Sequence, residues 1–183
     1  MTFRGSFSSR VFLAGALLAF TAPPSTAYAQ QNLTWDVNGA VSGTGGTGAW
    51  NETSAFWRNG GLLQTWNNSA FDNAIFAGTA GTVTVAATPI NVHNMTFDVG
   101  GYTMTGGTIN FGGVTPVVTT NVGVTTINSG FASGLGFAKN GAATLALGGN
   151  RTNYTGVTTV NAGTLRVDSA NALGISTRPP IWC

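Results

Sequence analysis

The chain contains one cysteine, one histidine and one glutamate in 183 residues, which leaves little for acid–base or metal chemistry. Cys183 is the last residue, so no disulfide framework can form within the chain. Charged residues make up 7%, against about 25% in an average soluble domain. The formal charge of +2 comes from Arg4 and Arg10, at the extreme N-terminus; beyond position 29, basic and acidic residues balance. No basic stripe remains to displace counterions from a phosphate backbone, so nucleic acid is excluded as a partner. No apolar run reaches the ~18 residues of a spanning helix.

What the chain has instead is glycine (27 residues), threonine and asparagine. These are poor helix formers, which excludes a coiled coil or helical bundle. Apolar residues at 43% are too many for a disordered tail. Residues 1–29 have the three parts of a secretory signal: the two arginines, an apolar run from Val11 to Phe20, and small residues at Ala27 and Ala29 for signal-peptidase recognition. Cleavage before Gln30 is expected.

Internal repetition carries most of the information in the remainder. Gly123-Val-Thr-Thr-Ile-Asn-Ser-Gly130 returns as Gly156-Val-Thr-Thr-Val-Asn-Ala-Gly163. A shorter pattern, threonine followed by apolar, any and apolar residues, begins at Thr82, Thr96, Thr108, Thr144 and Thr164. Each copy has the period of two that turns apolar side chains to one face of a strand. Gly-Gly, Asn-Gly and Ser-Gly turns separate them. Similar strands recurring in one orientation, with uncharged threonine and asparagine outside, suit stacked rungs, where like charges one strand spacing apart would repel. The expected fold is all-β, a right-handed parallel β-helix with rungs of about 20 residues; a β-sandwich is the alternative. Leu145, Leu147, Leu165 and Val167 are expected to point into one core, with Thr164 outside.

Residues 30–89 hold Trp35, Trp50, Trp57 and Trp66 among glycine-rich turns. They read as an aromatic cap over one end of the solenoid, with Trp50, Trp57 and Trp66 as alternative platforms for stacking on sugar rings. Residues 90–174 read as the solenoid repeats. Residues 175–183, with Pro179-Pro180, break the pattern and read as a truncation after which no further strand stacks.

The segment Phe137–Gly174 resembles the autotransporter-associated β-strand repeat, also called the passenger-associated transport repeat. Lys139, Gly141, Thr144, Leu145, Leu147, Gly149, Asn150, Tyr154, Gly156, Thr158, Val160, Gly163 and Leu165 fit its pattern, best over about 137–167. Ala143 replaces a common glycine, and Arg151 to Asn153 carry one extra residue before Tyr154. The resemblance implies a non-enzymatic β-helical passenger region of an exported bacterial surface protein. Such a region is delivered through the periplasm by an outer-membrane translocator barrel that this chain does not include. It would serve as stalk or transport-associated repeat, with adhesion to host or matrix glycans. The alternative function is a polysaccharide-binding or polysaccharide-degrading β-helix module.

Site chemistry is thin. Gly43-Thr-Gly45-Gly-Thr-Gly48 satisfies G-x-G-x-x-G, but Ala-Trp-Asn-Glu-Thr follows where a dinucleotide site needs a helix. His93 beside Asp98 lacks a second imidazole or thiolate for metal binding. Asp72, Asp98 and Asp168 have no spacing that marks a glycosidase pair. No catalytic residue, metal or cofactor is expected.

Overall fold

The computed structural model describes residues 29–39, 45–151 and 153–174. The leader expected over 1–29, except Ala29, and the tail 175–183 lie outside the described residues, as does the first part of the Gly43–Gly48 motif.

Strands alternate with glycine-marked turns from one end to the other, and no helix occurs among the described residues. β1 (Asn32–Trp35) and β2 (Gly48–Trp50) precede a hairpin of β3 (Trp57–Asn59) and β4 (Leu62–Gln64). Triplets follow: β5 (Asn73–Phe76), β6 (Thr82–Val85), β7 (Ile90–Val92); β8 (Met95–Phe97), β9 (Thr103–Gly106), β10 (Thr108–Phe111); β11 (Val117–Thr120), β12 (Val124–Ile127), β13 (Gly130–Phe131). Two pairs close the series, β14 (Phe137–Asn140) with β15 (Thr144–Leu147), and β16 (Thr158–Val160) with β17 (Thr164–Val167).

Each member of a triplet joins a different sheet. The orders are β16-β14-β11-β8-β5-β1-β3-β4, β17-β15-β12-β9-β6-β2 and β13-β10-β7. Every pairing between solenoid rungs is parallel; β3 is antiparallel to both β1 and β4. This is the expected β-solenoid, and its interior is the core. The period-two reading holds through the triplets, as in β6, where Val83 and Val85 are buried while Thr82 and Thr84 are exposed; in β14 and β15 three consecutive residues are buried instead. Pairing crosses position 89 without a break, since β5 pairs with both β1 and β8.

Stacking explains why the outside is threonine and asparagine. Asn73 Nδ2 donates to Asn32 Oδ1 at 2.7 Å, and Asn94 Nδ2 to Asn73 Oδ1 at 2.9 Å, forming a column across three rungs. Asn110–Asn91 and Asn161–Asn140 repeat the contact at 2.8 and 2.9 Å. Each amide donates to the rung before and accepts from the rung after, so identical residues satisfy one another where identical charges could not. Inside, Phe76 stacks on Phe97 with centroids 4.7 Å apart and planes 10° from parallel. The turns need glycine where they run closest: a Cβ on Gly141, at φ 79°, would lie 2.1 Å from the Thr120 carbonyl oxygen of the rung before.

The inward set predicted from β15 and β17 holds in part. Leu145 and Leu147 are fully buried and Leu165 packs against them, while Thr164 is exposed. Val167, however, is 48% exposed. It is in register with Leu147, but among the described residues β17 is the outermost strand of its sheet, with only β15 paired to it.

Tyr102 links turn to core. Its hydroxyl donates to the carbonyl oxygens of Ala77 at 2.7 Å and Thr79 at 3.1 Å, and the residue is fully buried. Burial raises the phenol to about 12, an effect offset in part by the Gly46 N–H. An acid whose folded value is raised contributes stability that is intact below its unfolded value of 10.0 and is lost as pH rises toward 12. The Tyr102 contribution should therefore fall by roughly 2–3 kcal/mol between those limits, read as the difference between wild type and Tyr102→Phe. Tyr102→Phe should lack that loss when urea melts are compared across the range. Burial lowers Arg151 to about 10, which acts in the opposite sense and is common to both proteins.

Candidate functional site

The carboxylates do not gather. Asp98 accepts from Asn121 Nδ2 at 2.9 Å, and Asp168 pairs with Arg166 at 2.7 Å on the surface. Asp72 accepts the Gln31 N–H at 2.8 Å, and burial raises its carboxyl above the usual range. His93 is held by Gln30 Nε2, Asn94 Nδ2 and the Val114 carbonyl oxygen, so its contacts run to polar groups of neighbouring rungs rather than to Asp98. Among the described residues no three His, Cys, Asp or Glu side chains lie close enough to hold a metal ion.

The tryptophans named as sugar platforms sit inside. Trp50 and Trp57 are fully buried and Trp66 is 1% exposed. Their centroids are 4.6–4.9 Å apart, at interplanar angles of 53–81°. Trp35 and Phe76 complete the cluster. Tilted and edge-on rings of this kind maximise packing and leave no open face for a sugar. Beside them Asp36, fully buried, meets Arg58 Nη2 at 2.8 Å. Arg58 also donates to the Gly61 and Gly39 carbonyls, and Asp36 Oδ1 accepts the N–H groups of Asn38 and Gly39. One ion pair thus fastens the β3–β4 hairpin to β1.

Residues 137–167 hold the other buried cations. Lys139 pairs with Val118 in register, which turns its side chain inward with that valine. Its Nζ curls to the turn and donates to the carbonyls of Asn140 (2.7 Å), Gly141 (2.8 Å) and, one rung on, Ala162 (3.0 Å). Burial lowers its pKa. Arg151 reaches farther. Its guanidinium donates to Gly148 in its own rung, to Ile127 in the rung before at 2.6 Å, and to Ala172 in the rung after at 3.2 Å. The guanidinium carbon lies 4.1 Å from the Phe131 ring centroid. Tyr154, buried beside it, exchanges a hydrogen bond with Thr158 Oγ1 at 2.9 Å.

These two side chains hold main-chain carbonyls of consecutive rungs together. A buried carbonyl without a donor is costly. The Ile127 carbonyl also accepts the Gly148 N–H at 3.0 Å, so Arg151 is its second donor, while at Gly148 and Ala172 the guanidinium supplies the hydrogen bond. Lys139 was legible only as a position in the repeat. Arg151 fell in the segment that departs from the pattern, and its only sequence signal is that of a lone cation in a chain with little charge.

The family described as passenger-associated-transport-repeat matches residues 137–167, the segment that contains both clamps. The chain is 46% identical over 167 residues to the adhesin BmaC autotransporter of Brucella suis biovar 1 (strain 1330), an alignment covering 88% of this chain. It spans only 5% of that relative's length. No solved structure matches.

Proposed function

We propose, because this chain is an autotransporter passenger segment that carries the passenger-associated transport repeat, that it acts without catalysis as a rigid β-solenoid stalk and transport-associated unit. The observation that carries this reading is the pair of clamps inside the matched repeat, where Lys139 and Arg151 join the carbonyls of two and three consecutive rungs. In an extended chain these carbonyls lie far apart and both cations are hydrated. Each clamp can close only as its neighbouring rungs stack, so the repeat couples the folding of adjacent rungs. Emergence from an outer-membrane translocator barrel, one stretch of chain at a time, is where such coupling would favour forward movement.

In this reading Ala27 and Ala29 guide signal-peptidase cleavage and the mature chain begins at Gln30. It passes through the periplasm and ends at the cell surface, associated with the outer membrane as part of a larger polypeptide. Adhesion to host or matrix glycans is a further role, supported by the similarity to the Brucella suis adhesin.

The test is to fuse the chain to an autotransporter barrel and follow its arrival at the surface by protease accessibility in whole cells. Lys139→Met and Arg151→Met should each lower the surface-exposed fraction severalfold and leave periplasmic precursor behind, while Val114→Ser, at an 84% exposed position, should not. Normal export of both clamp variants would overturn the transport role. Binding of displaying cells to glycan-coated surfaces tests adhesion separately.

A further inference from the structure

The eight-stranded sheet ends at β4, and nothing among the described residues pairs with its outer edge. Exposed edges are commonly protected by a lysine, a proline, a bulge or a covering segment. β4 reads Leu62-Leu63-Gln64 and has none of the first three. Leu62 is 78% exposed and Leu63 37%. The hairpin tip at Gly60-Gly61 stands free, with nothing within 4 Å of the space where their side chains would be. From Asn59 to Thr65 the sequence carries no charge.

The register decides which backbone groups are open. Asn59 pairs with Leu62 across a two-residue loop, and pairs flanking such a loop exchange both hydrogen bonds. The next pair, Arg58 with Leu63, is then the non-bonded kind, so the N–H and C=O of Leu63 point away from β3. Arg58 is not free to guard this edge, because Asp36 and two carbonyls hold its guanidinium.

We propose that this edge pairs with the β4 edge of a second copy of the chain, antiparallel about a two-fold axis through Leu63. In that register Leu63 lies opposite its own counterpart, and the two residues exchange both open hydrogen bonds. Leu62 lies opposite Gln64 of the other copy and is covered by its aliphatic stem. A two-fold contact requires a surface complementary to itself. An uncharged edge meets that condition where a charged one would repel its copy. The eight-stranded sheet then continues from one molecule into the next. One short strand gives a weak contact, which many copies on facing surfaces would strengthen by multivalency.

Sedimentation equilibrium of the purified full chain over a range of concentrations reads the association directly. A reversible monomer–dimer equilibrium is expected, weakened about tenfold or more by Leu63→Lys, equivalent to about 1.4 kcal/mol. Leu63→Pro removes only an outward-facing N–H, so it should weaken the dimer while the hairpin stays folded. In a Cys183→Ser background, Leu63→Cys should form an intermolecular disulfide on mild oxidation, while Val114→Cys, at a more exposed position between β10 and β11, should not. A chain that stays monomeric at every concentration overturns the proposal. So does a dimer that tolerates both Leu63→Lys and Leu63→Pro, or one that crosslinks through Val114 in place of Leu63.

Discussion

Arg151→Ala should destabilise the protein by about 5 kcal/mol in urea unfolding. The guanidinium serves carbonyls of three rungs, at Ile127, Gly148 and Ala172. The Ile127 carbonyl keeps the Gly148 N–H at 3.0 Å, but the Gly148 and Ala172 carbonyls lose Arg151 as donor, at about 1–3 kcal/mol for each buried acceptor left unpaired. Loss of the contact with the Phe131 ring adds to that. Burying a cation has its own cost, visible in the lowering of Arg151 to about 10, so the side chain would be poorly placed if the carbonyls did not need it. Arg151→Met separates the two contributions: it keeps most of the stem and relieves the buried charge, but it still takes the guanidinium donors from the Gly148 and Ala172 carbonyls. A methionine variant as stable as wild type would show that packing alone holds this corner. Because rungs contact mainly their neighbours, the damage should be local. Limited proteolysis of Arg151→Ala should cut first between residues 142 and 174.

At the other end of the stack, Arg58→Ala should cost about 3–5 kcal/mol, the usual result of removing one partner from a buried ion pair. Asp36 is fully buried and keeps the N–H groups of Asn38 and Gly39, but it loses the cation at 2.8 Å. The Gly39 and Gly61 carbonyls lose their donor in the same step. Asp36→Asn combined with Arg58→Met removes both charges together, and it should recover a large part of the loss if taking the cation from the buried carboxylate is the main penalty. The hairpin lies beside the tryptophan cluster, so tryptophan fluorescence reports the change. A single variant with an unshifted melt would mean that the ring packing holds β3 in place without the ion pair.

The sequence by itself determined the strands and the outside of the solenoid. Alternation of period two, glycine at the corners, and threonine and asparagine in place of charge are local properties, and a strand needs no partner to display them. The passenger-associated repeat was legible in the same way, from Lys139 to Leu165. Which face each strand joins was decided only by tertiary structure. The two similar octets lie on different sheets: Val124–Ile127 forms β12 in the six-stranded sheet, while Thr158–Val160 forms β16 in the eight-stranded one. Both sheets accept the same pattern, and the lengths of the intervening turns select between them. The repeats beginning at Thr144 and Thr164 did become true neighbours, residue against residue. The tryptophans face inward for a similar reason, because their burial depends on β1, β2, β3 and the Trp66 loop converging. Lys139 and Arg151 are the clearest case. Taken singly, a lysine or an arginine in a sequence reads as solvated; each becomes a core residue here because stacking brings together carbonyls from separate rungs that only a long cation can reach.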